Sequence, residues 1–355
     1  MLLRMKLLSS KFSCEINKLY GSSPQKMTGG SCIFLDAAAL RSLIPPSSLV
    51  PHLLTSLPSH SSAVHSPSRQ IFPVDPSTCS SLLLMPSWSS SPALPYIGVK
   101  TVTSFPHNSD LGLPGISASY ALFSSTTGAN LAGFDGTELT LLRTSAVSAL
   151  AARFLAREDA RVLVMVGAGA LAPYLIRAHR FIRPGIERVI IWNRSAARAR
   201  DLARRLEEEE EGGNVIFEHA ESLDEVIGFG DVVSCATSSK TPIVKGEWLK
   251  PGSHLDLVGS FSPAMRECDD EALVRAARVF VDFPAAMSEA GELVGAFERG
   301  AMSPEDVAGN LSDLAGGLKV GRRSPSEITV FKSVGAALID LLAGQLAYES
   351  YITST

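Results

Sequence analysis

The sequence predicts an α/β protein in two parts: a doubly wound parallel sheet, and an α+β part built from the N-terminal half and the last helix. Three observations predict this division. Apolar runs alternate with helical patterns in the second half, one of those runs ends in a glycine-rich turn, and the earlier runs are separated by turn residues instead of helices. With 45% apolar and 19% charged residues, the bulk of the chain is globular rather than disordered.

The first half is predicted to hold a largely antiparallel sheet. Ser and Pro crowd residues 47–95, and this composition by itself predicts loop or linker, with room for two short strands. Turn signals such as Asp135-Gly136 separate the later runs. Thr144 is expected to be the N-cap of a helix that ends at Leu155. The strand-like runs are Gln70–Val74, Leu82–Met85, Ile97–Thr103, Tyr120–Ser124 and Glu138–Leu142.

The second half alternates strands and helices, which predicts a parallel sheet with ligand at the carboxyl ends of its strands. The expected strands are Arg161–Val166, Arg188–Trp192, Val215–Glu218, Asp231–Ala236, His254–Gly259 and Arg278–Asp282. The expected helices are Ala170–Phe181, Ala196–Leu206, Leu223–Gly228 and Asp269–Ala277. The last segment, Thr329–Tyr351, has helical apolar spacing, and we expect it to pack back on the first half.

The first of these strands ends in the pattern G-x-G-x-x-A, the strand–turn–helix context of a dinucleotide-binding loop. Gly167 permits the tight turn, Gly169 allows the backbone to approach a pyrophosphate, and the small Ala172 keeps helix and strand close. The N–H groups at the start of the helix are suited to phosphate. The sequence therefore predicts a Rossmann-type nucleotide domain. The loop residues expected to bind the cofactor are Gly167, Ala168, Gly169, Ala170 and Leu171.

The turn after the second strand of this domain predicts which nicotinamide cofactor is preferred. Enzymes that use NAD usually place Asp or Glu there for the ribose hydroxyls. This chain has Asn193-Arg194-Ser195 instead. Arg194 can pair with a 2′-phosphate, and Asn193 and Ser195 can donate hydrogen bonds to it. We therefore expect NADPH, with NADH less favoured.

Composition excludes several other classes. The net charge of −4 favours neither nucleic acid nor an anionic membrane as a partner. Five scattered cysteines without C-x-x-C spacing, and seven histidines without an H-E-x-x-H pair, predict no disulfide framework and no metal site. The longest apolar stretches are interrupted by Gly, Pro or Asp, so no membrane span is expected.

An ordered set of short motifs resembles the ornithine cyclodeaminase/mu-crystallin family from about Ser31 to the C-terminus. The first group is Ser66-Pro67-Ser68-Arg69, Met85-Pro86, Gly98-Val99-Lys100, Phe105-Pro106 and Asn108. The second group is Gly112-Leu113-Pro114, Thr127-Gly128, Asp135-Gly136 and Leu142-Arg143-Thr144-Ser145-Ala146. The third is Ile191-Trp192-Asn193-Arg194 and Thr329-Val330-Phe331-Lys332-Ser333-Val334-Gly335.

The resemblance implies a homodimer whose subunits have a substrate-binding and dimerisation domain, residues 28–143 with 319–355, and a nucleotide domain, residues 144–318. It implies that Arg69 and Arg143 hold a substrate carboxylate and that Lys100 lies beside the reacting carbon and nitrogen. Guanidinium groups suit bidentate binding of a carboxylate, and a buried lysine can exchange a proton near neutral pH. Further cofactor-binding residues expected at the strand ends and the helix start are Thr144, Ala236, Thr237 and Val258.

One departure from the family pattern bears on the reaction. In the cyclodeaminase branch, the strand that corresponds to His254–Gly259 is followed by an aspartate, which acts on the amine and the water during ammonia loss. Here Phe261 takes the place of that aspartate. The mu-crystallin branch, whose members act as ketimine reductases, also lacks that acid. The resemblance therefore implies an NADPH-dependent reductase of cyclic imino acids, which converts Δ1-piperideine-2-carboxylate to pipecolate and also accepts Δ1-pyrroline-2-carboxylate.

Two alternatives stay open at the level of sequence. One is an ornithine cyclodeaminase that uses NAD and releases proline and ammonia, with Ser260 or water replacing the acid. The other is an NADPH-dependent small-molecule-binding protein without turnover. Residues 1–27 are basic, bear serines and include Glu15 as their one acid, which is typical of a transit peptide but also of a frayed tail. With a transit peptide, a plastid is the expected location; otherwise the cytoplasm is.

Overall fold

The computed structural model describes residues 32–210 and 213–354 of the chain. The candidate transit segment, residues 1–27, lies outside these residues. Two sheets organise the part that is described, one mixed and one parallel, and this confirms the predicted α/β class with a doubly wound domain. No helix in the described ranges has the length and apolar character needed to cross a membrane.

The first sheet has seven strands within the described residues, in the order β1-β7-β6-β5-β4-β2, with β3 paired to β4. They are β1 Ile33–Leu35, β2 Val64–His65, β3 Gln70–Asp75, β4 Ser80–Ser89, β5 Tyr96–Ser104, β6 Ile116–Ser124 and β7 Asn130–Asp135. All pairs are antiparallel except β1 with β7. The register places Lys100 directly opposite Tyr120, so both side chains are on the same face.

The second sheet is wholly parallel, and its eight strands in the described part of the chain follow the order β10-β9-β8-β11-β12-β15-β13-β14. They are β8 Val162–Val166, β9 Arg188–Trp192, β10 Ile216–Ala220, β11 Val232–Cys235, β12 His254–Leu257, β13 Arg278–Val281, β14 Val307–Asn310 and β15 Thr329–Lys332. The chain order reverses between β8 and β11. Ligands of open α/β sheets bind at such a switch point, and the loop at Gly167–Gly169 lies there.

Ten α-helices of the described residues connect and cover the sheets. They are α1 Ala37–Leu43, α2 Pro46–His60, α3 Gly136–Leu155, α4 Ala172–Ile182, α5 Ala196–Glu209, α6 Asp270–Val274, α7 Ala286–Glu289, α8 Gly291–Glu298, α9 Leu311–Ala315 and α10 Ala337–Ser354. One apolar cluster packs α4 and α5 on the parallel sheet, and another packs α6 and α8 on it, so both faces are covered. The third cluster joins the first sheet to α2, α3 and α10.

The prediction of loop or linker across residues 47–95 is wrong for most of that segment. Pro46–His60 is a helix despite two internal prolines, because Leu49, Val50, Leu53 and Leu57 form one buried stripe at helical spacing. Farther along, the expected strands at Gln70–Val74 and Leu82–Met85 are confirmed within the longer β3 and β4.

The prediction that Glu138–Leu142 is a strand and that Thr144 caps the next helix is also wrong. The helix begins at Gly136, and Asp135 is its N-cap, with the carboxylate accepting from the N–H of Glu138 at 2.9 Å. Glu138 is buried because it pairs with Arg41 at 2.9 Å and accepts from the hydroxyl of Tyr174 at 2.7 Å. These tertiary contacts favour the helix over the strand that local composition suggests.

The final segment, Thr329–Tyr351, was expected to be helical throughout, but it is a strand followed by a helix. Thr329–Lys332 is a fully buried strand between β12 and β13, and only Ala337–Ser354 is the helix that packs against the first half. A short apolar run buried on both faces does not show strand periodicity, and for this reason the strand was missed. Leu223–Gly228 also departs from its prediction, since the only helical turn there is the 3-10 turn Ile227–Phe229.

The N-cap of α3 can be tested directly. Asp135→Ala removes the acceptor of the Glu138 N–H and is expected to lower the free energy of unfolding by about 1 kcal/mol, measured by denaturant titration. Asp135→Asn, which keeps a side-chain oxygen acceptor, is the matched control and should stay close to wild type. Equal stability of the Ala variant and wild type would contradict the assigned start of the helix.

Candidate functional site

A cavity of about 520 Å³ lies between the first sheet, α3 and the carboxyl ends of the parallel strands. Lys100, Val102, Ile116 and Ala118 of β5 and β6 form one wall. The opposite wall is made by turns of the nucleotide domain and by the segment before α10. These turns contribute Gly169, Ala170, Leu171, Ala236, Thr237, Ser238, Val258, Gly259, Phe261, Ser333, Val334 and Gly335. Residues far apart in the chain thus line one cavity.

Two buried cations stand in the wall of this cavity and share one carboxylate. Lys100, 3% exposed, and Arg143, 6% exposed, both contact Asp340, which is fully buried. The Nζ of Lys100 and the Nε of Arg143 each donate to Oδ1 of Asp340 at 3.1 Å. Because the Nε of Arg143 is bonded to Asp340, the two terminal nitrogens of its guanidinium are the ones left for a ligand.

The surroundings of Lys100 change its acidity. Burial lowers the pKa of Lys100 to about 8, the nearby charge of Asp340 opposes that decrease, and Arg143 and Arg69 add to it. An amine with such a pKa holds its proton at neutral pH and releases it in mildly alkaline solution. Lys100 can therefore exchange a proton with a bound molecule under ordinary conditions.

Arg69, the second expected carboxylate-binding residue, is partly buried and lies outside the set that lines the cavity. Its Nη2 donates to Oε2 of Glu289, on α7 of the nucleotide domain, at 2.7 Å. Its charge is still near enough to lower the pKa of Lys100. Arg69 thus acts on Lys100 through its charge, but its guanidinium is paired with Glu289 from the second half of the chain.

The segment before α10 is fixed by a buried carboxylate. Asp282, 1% exposed, accepts from the hydroxyl of Ser333 and from the N–H groups of Val334 and Gly335 at 2.7–2.9 Å. Gly335 has φ +80°, and a Cβ there would lie 2.6 Å from Nη1 of Arg143. A glycine is therefore required both for the turn and for the close approach of the arginine.

A second, more polar cleft of about 640 Å³ adjoins the cavity, with Gly169, Ala236, Thr237 and Ser238 common to both. It lies over the switch point of the parallel sheet. Exposed Arg194 and Arg198 line its far end, and no described carboxylate lines it. The other lining residues are Gly167, Ala168, Trp192, Asn193, Ser195, Ser239, Thr241 and Ile243.

The glycine loop has the conformation that a dinucleotide requires. Gly167 has φ +111°, and a Cβ there would lie 2.6 Å from the carbonyl oxygen of Ala236, so a side chain is excluded. No described atom lies within 4 Å of the corresponding position at Gly169, which leaves the cleft open at that point. No side chain caps the start of α4, where Pro173 has no N–H and the N–H groups of Ala172 and Tyr174 donate to the carbonyl oxygens of Gly169 and Leu171 at 3.1 Å. The N–H groups of the preceding loop, Gly169–Leu171, are therefore the ones suited to a phosphate. These residues fit a nicotinamide dinucleotide.

Asn193 braces the cleft through both ends of its side-chain amide. Its Oδ1 accepts from the N–H of Ala168 at 3.2 Å, and its Nδ2 donates to the carbonyl oxygen of Ser195 at 3.0 Å. The amide therefore joins the glycine loop to the turn that carries Arg194. Arg198, one turn into α5, adds a second cation that the sequence analysis did not identify.

A buried glutamate joins two turns of the cofactor cleft and the cavity. Oε1 of Glu267 accepts from the N–H and hydroxyl of Thr237 at 2.7 and 2.9 Å, and Oε2 accepts from the N–H of Gly259 at 2.8 Å. Burial raises the pKa of Glu267 to about 7, and the nearby Lys332 opposes this shift. Nothing in the local sequence around Glu267 identified this role.

Phe261, which the resemblance aligns with the aspartate of the cyclodeaminase branch, is in the cavity wall and 44% exposed. Its ring offers neither a proton donor nor an acceptor. Ser260, the candidate substitute, is buried, and its hydroxyl donates to the carbonyl oxygen of Met265 at 2.9 Å. Neither side chain supplies the missing acid–base group.

The structure thus brings most of the predicted site residues together. Lys100, Arg143, Thr144 and Val258 line the cavity, and Gly167, Ala168 and the Asn193–Ser195 turn line the adjoining cleft. Asp340, Glu267, Asp282 and Arg198 were missed, because a lone acid or arginine in a helix or loop carries no local signal.

Fold and site together define a dinucleotide-binding α/β protein with a cationic small-molecule cavity. A family model for the ornithine cyclodeaminase/mu-crystallin family matches residues 33–355. The chain belongs to this family, which confirms the expectation from the motifs.

Two curated relatives and one solved structure show the range of the similarity. Protein SAR DEFICIENT 4 of Arabidopsis thaliana is 56% identical over 90% of this chain and 98% of that protein. A Δ1-pyrroline-2-carboxylate reductase of Paracoccus denitrificans is 39% identical over 69% of this chain and 76% of that protein. The structure of Thermococcus litoralis Δ1-pyrroline-2-carboxylate reductase with NADH and L-proline has a TM-score of 0.84 at 29% identity, covering 91% of this chain and 98% of that one.

Replacement of Glu267 tests whether it organises the cofactor cleft. In Glu267→Gln one terminal oxygen becomes an amide donor, so the bonds to either Thr237 or Gly259 are lost. The loss is expected to reduce the affinity for a reduced nicotinamide dinucleotide about tenfold, measured by fluorescence titration.

The control is Glu271→Gln, an exposed glutamate on α6, whose affinity should match wild type. A thermal unfolding scan of both variants shows whether the fold is retained. Unchanged affinity in a folded Glu267→Gln variant would refute the assigned role.

Proposed function

We propose that this chain is an NADPH-dependent ketimine reductase, which reduces the C=N bond of a cyclic imino acid. The proposed substrates are Δ1-piperideine-2-carboxylate, which gives pipecolate, and Δ1-pyrroline-2-carboxylate, which gives proline. The observation that carries the proposal is the pair of buried cations, Lys100 and Arg143, in a cavity that adjoins a dinucleotide cleft. The relatives and the solved structure named as Δ1-pyrroline-2-carboxylate reductases support the reaction class.

The arginines account for recognition of the carboxylate. The terminal nitrogens of Arg143 are not bonded to Asp340, and their planar arrangement matches the two oxygens of a carboxylate. Arg69 can add a second contact when it exchanges its bond with Glu289 for one with the substrate. Val102, Ile116 and Leu141 give the cavity apolar wall against which the ring carbons can pack.

Lys100 accounts for the proton. A reduced nicotinamide, when bound along the glycine loop and the adjoining cavity, supplies a hydride to the imine carbon. Lys100 would hold or donate the proton at the substrate nitrogen, and its pKa of about 8 leaves it charged at neutral pH. Because Lys100 is almost fully buried, solvent screens its charge little, and that charge acts on the substrate at short range.

The cleft favours the phosphorylated cofactor. Arg194 and Arg198 line the end where the adenosine ribose of a dinucleotide lies in this fold, and the residues that line the cleft include no acid. A 2′-phosphate would meet two guanidinium groups there. The Thermococcus litoralis structure contains NADH, so the preference of this chain is a separate property of its own turn.

The cyclodeaminase alternative has less support from the site. Deamination needs a group that handles amine and water, and Phe261 cannot do so, while the hydroxyl of Ser260 is bonded away from the cavity. The binding-protein alternative uses the same pocket, but it gives no role to a buried lysine with a pKa of about 8. The homodimer and the plastid location stay predictions.

The reaction is tested with purified protein, NADPH and the five- and six-membered imino acids. Wild type should oxidise NADPH, and turnover should fall as the pH rises through about 8, because Lys100 then loses its proton. Lys100→Ala should retain NADPH binding and lose at least about 100-fold in kcat.

One result would contradict the proposed reaction and another the role of Lys100. Ammonia release from ornithine with no net change of cofactor would indicate a cyclodeaminase. Full activity in Lys100→Ala would remove the assigned proton role while leaving the reductase itself in place.

The preference for NADPH is tested at the cationic turn. Arg194→Ala removes a charge-assisted contact to the 2′-phosphate, and the dissociation constant for NADPH should rise about 10- to 100-fold while that for NADH is unchanged. Arg200→Ala, which replaces an exposed arginine on the helix that follows this turn, paired with Glu221, is the matched control. An equal loss for both cofactors in Arg194→Ala would show that Arg194 does not read the phosphate.

A further inference from the structure

Asp340 lies where three distant segments of the chain meet. It is on α10, whereas Lys100 is on β5 and Arg143 on α3, and all three side chains are buried. A single oxygen of Asp340 accepts from both cations at 3.1 Å. No described group donates to its other oxygen, Oδ2, which is also buried. Lys100 and Arg143 are therefore the hydrogen-bonding partners of this carboxylate.

The charges around Lys100 require a carboxylate at this place. Arg143 faces Lys100 from α3 and Arg69 faces it from the segment before β3, and both disfavour its charged form. Tyr120 lies opposite Lys100 on β6, and burial raises the pKa of its hydroxyl well above the usual value, so it stays neutral. Asp340 is the acid among the described groups that favours the ammonium form of Lys100.

A buried cation without a partner is strongly unfavourable, since desolvation is not compensated. Without the charge of Asp340, Lys100 would be left beside two guanidinium groups in a low-dielectric wall. The amine would then lose its proton more readily, and Arg143 would lose the bond that orients its Nε. The carboxylate therefore affects both the charge of one residue and the orientation of the other.

We propose that Asp340 is a positioning residue of the reductase: one oxygen sets Lys100 and Arg143 in a single geometry and supplies the negative charge beside which Lys100 carries its proton. This inference rests on the proposed function. In the reduction, an Nζ–H bond of Lys100 breaks as an N–H bond forms at the substrate nitrogen, with the hydride supplied as described above. Lys100 becomes a neutral amine and regains a proton from solvent, and Asp340 stays a carboxylate throughout.

The central test is Asp340→Asn in the full chain loaded with NADPH. The amide keeps the size of the side chain and removes its charge. The titration of Lys100 is followed by NMR of ¹³Cε-labelled lysine, with the signal assigned by its loss in Lys100→Ala. In Asp340→Asn the titration midpoint of Lys100 is expected to fall by about one to three pH units. The alkaline limb of the plot of kcat against pH should move to lower pH by the same amount.

Two further variants separate charge from geometry and from folding. Asp340→Glu keeps the charge but shifts the oxygens, so the midpoint of Lys100 should stay near wild type while kcat falls. Asp256→Asn removes another fully buried carboxylate, bonded to Ser148, Ser234 and His179, and should leave the midpoint of Lys100 unchanged. If Asp340→Asn does not fold, Asp340→Glu replaces it as the test. A titration midpoint of Lys100 near the wild-type value together with a lower kcat would then support the role of Asp340.

The outcomes distinguish this inference from the proposed function. An unchanged Lys100 midpoint and an unchanged alkaline limb in folded Asp340→Asn would overturn the role of Asp340, even if wild type reduces the imine. Failure of wild type to reduce any cyclic imino acid would overturn the reductase, while the NMR midpoint, which needs no turnover, would still show whether Asp340 sets the charge of Lys100.

Discussion

Burial of two cations against one carboxylate is the constraint on which the architecture of the site depends. Lys100 and Arg143 can be buried only if Asp340 reaches them, because an uncompensated charge in the interior is costly. Asp340 is on α10, which follows β15 along the chain, so the segment that leaves the parallel sheet carries this carboxylate to the first half. The order of elements in the fold and the assembly of the cavity are therefore linked.

On the nucleotide side of the site, buried carboxylates also hold separate segments together, and there the donors are mainly backbone N–H groups. Glu267 holds the turns at Thr237 and Gly259, and Asp282 holds the turn that ends at Gly335. Each carboxylate is almost fully buried and accepts several N–H groups. Such buried hydrogen bonds fix loop backbone that apolar packing alone leaves free.

Local patterns predicted the elements whose signal is carried by neighbouring residues. The strand before Gly167, the strand that ends at Trp192 and the turn with Arg194 were all identified correctly, since each has apolar periodicity or a required backbone conformation. The helix at Pro46–His60 and the start of α3 at Gly136 were not identified. There, buried contacts with distant residues outweigh a Ser- and Pro-rich composition or a strand-like run.

The sequence by itself determined the α/β class, the glycine loop and the family, with Lys100 and Arg143 placed by the motifs that carry the resemblance. Only the tertiary structure decided that Asp340 joins these two cations, that Arg69 pairs with Glu289, and that Thr329–Lys332 is a strand within the parallel sheet. The physical reason is that a lone acid in an apolar helix has no local signature. Its role arises from desolvation and charge, which depend on what the folded chain brings within about 3 Å of it.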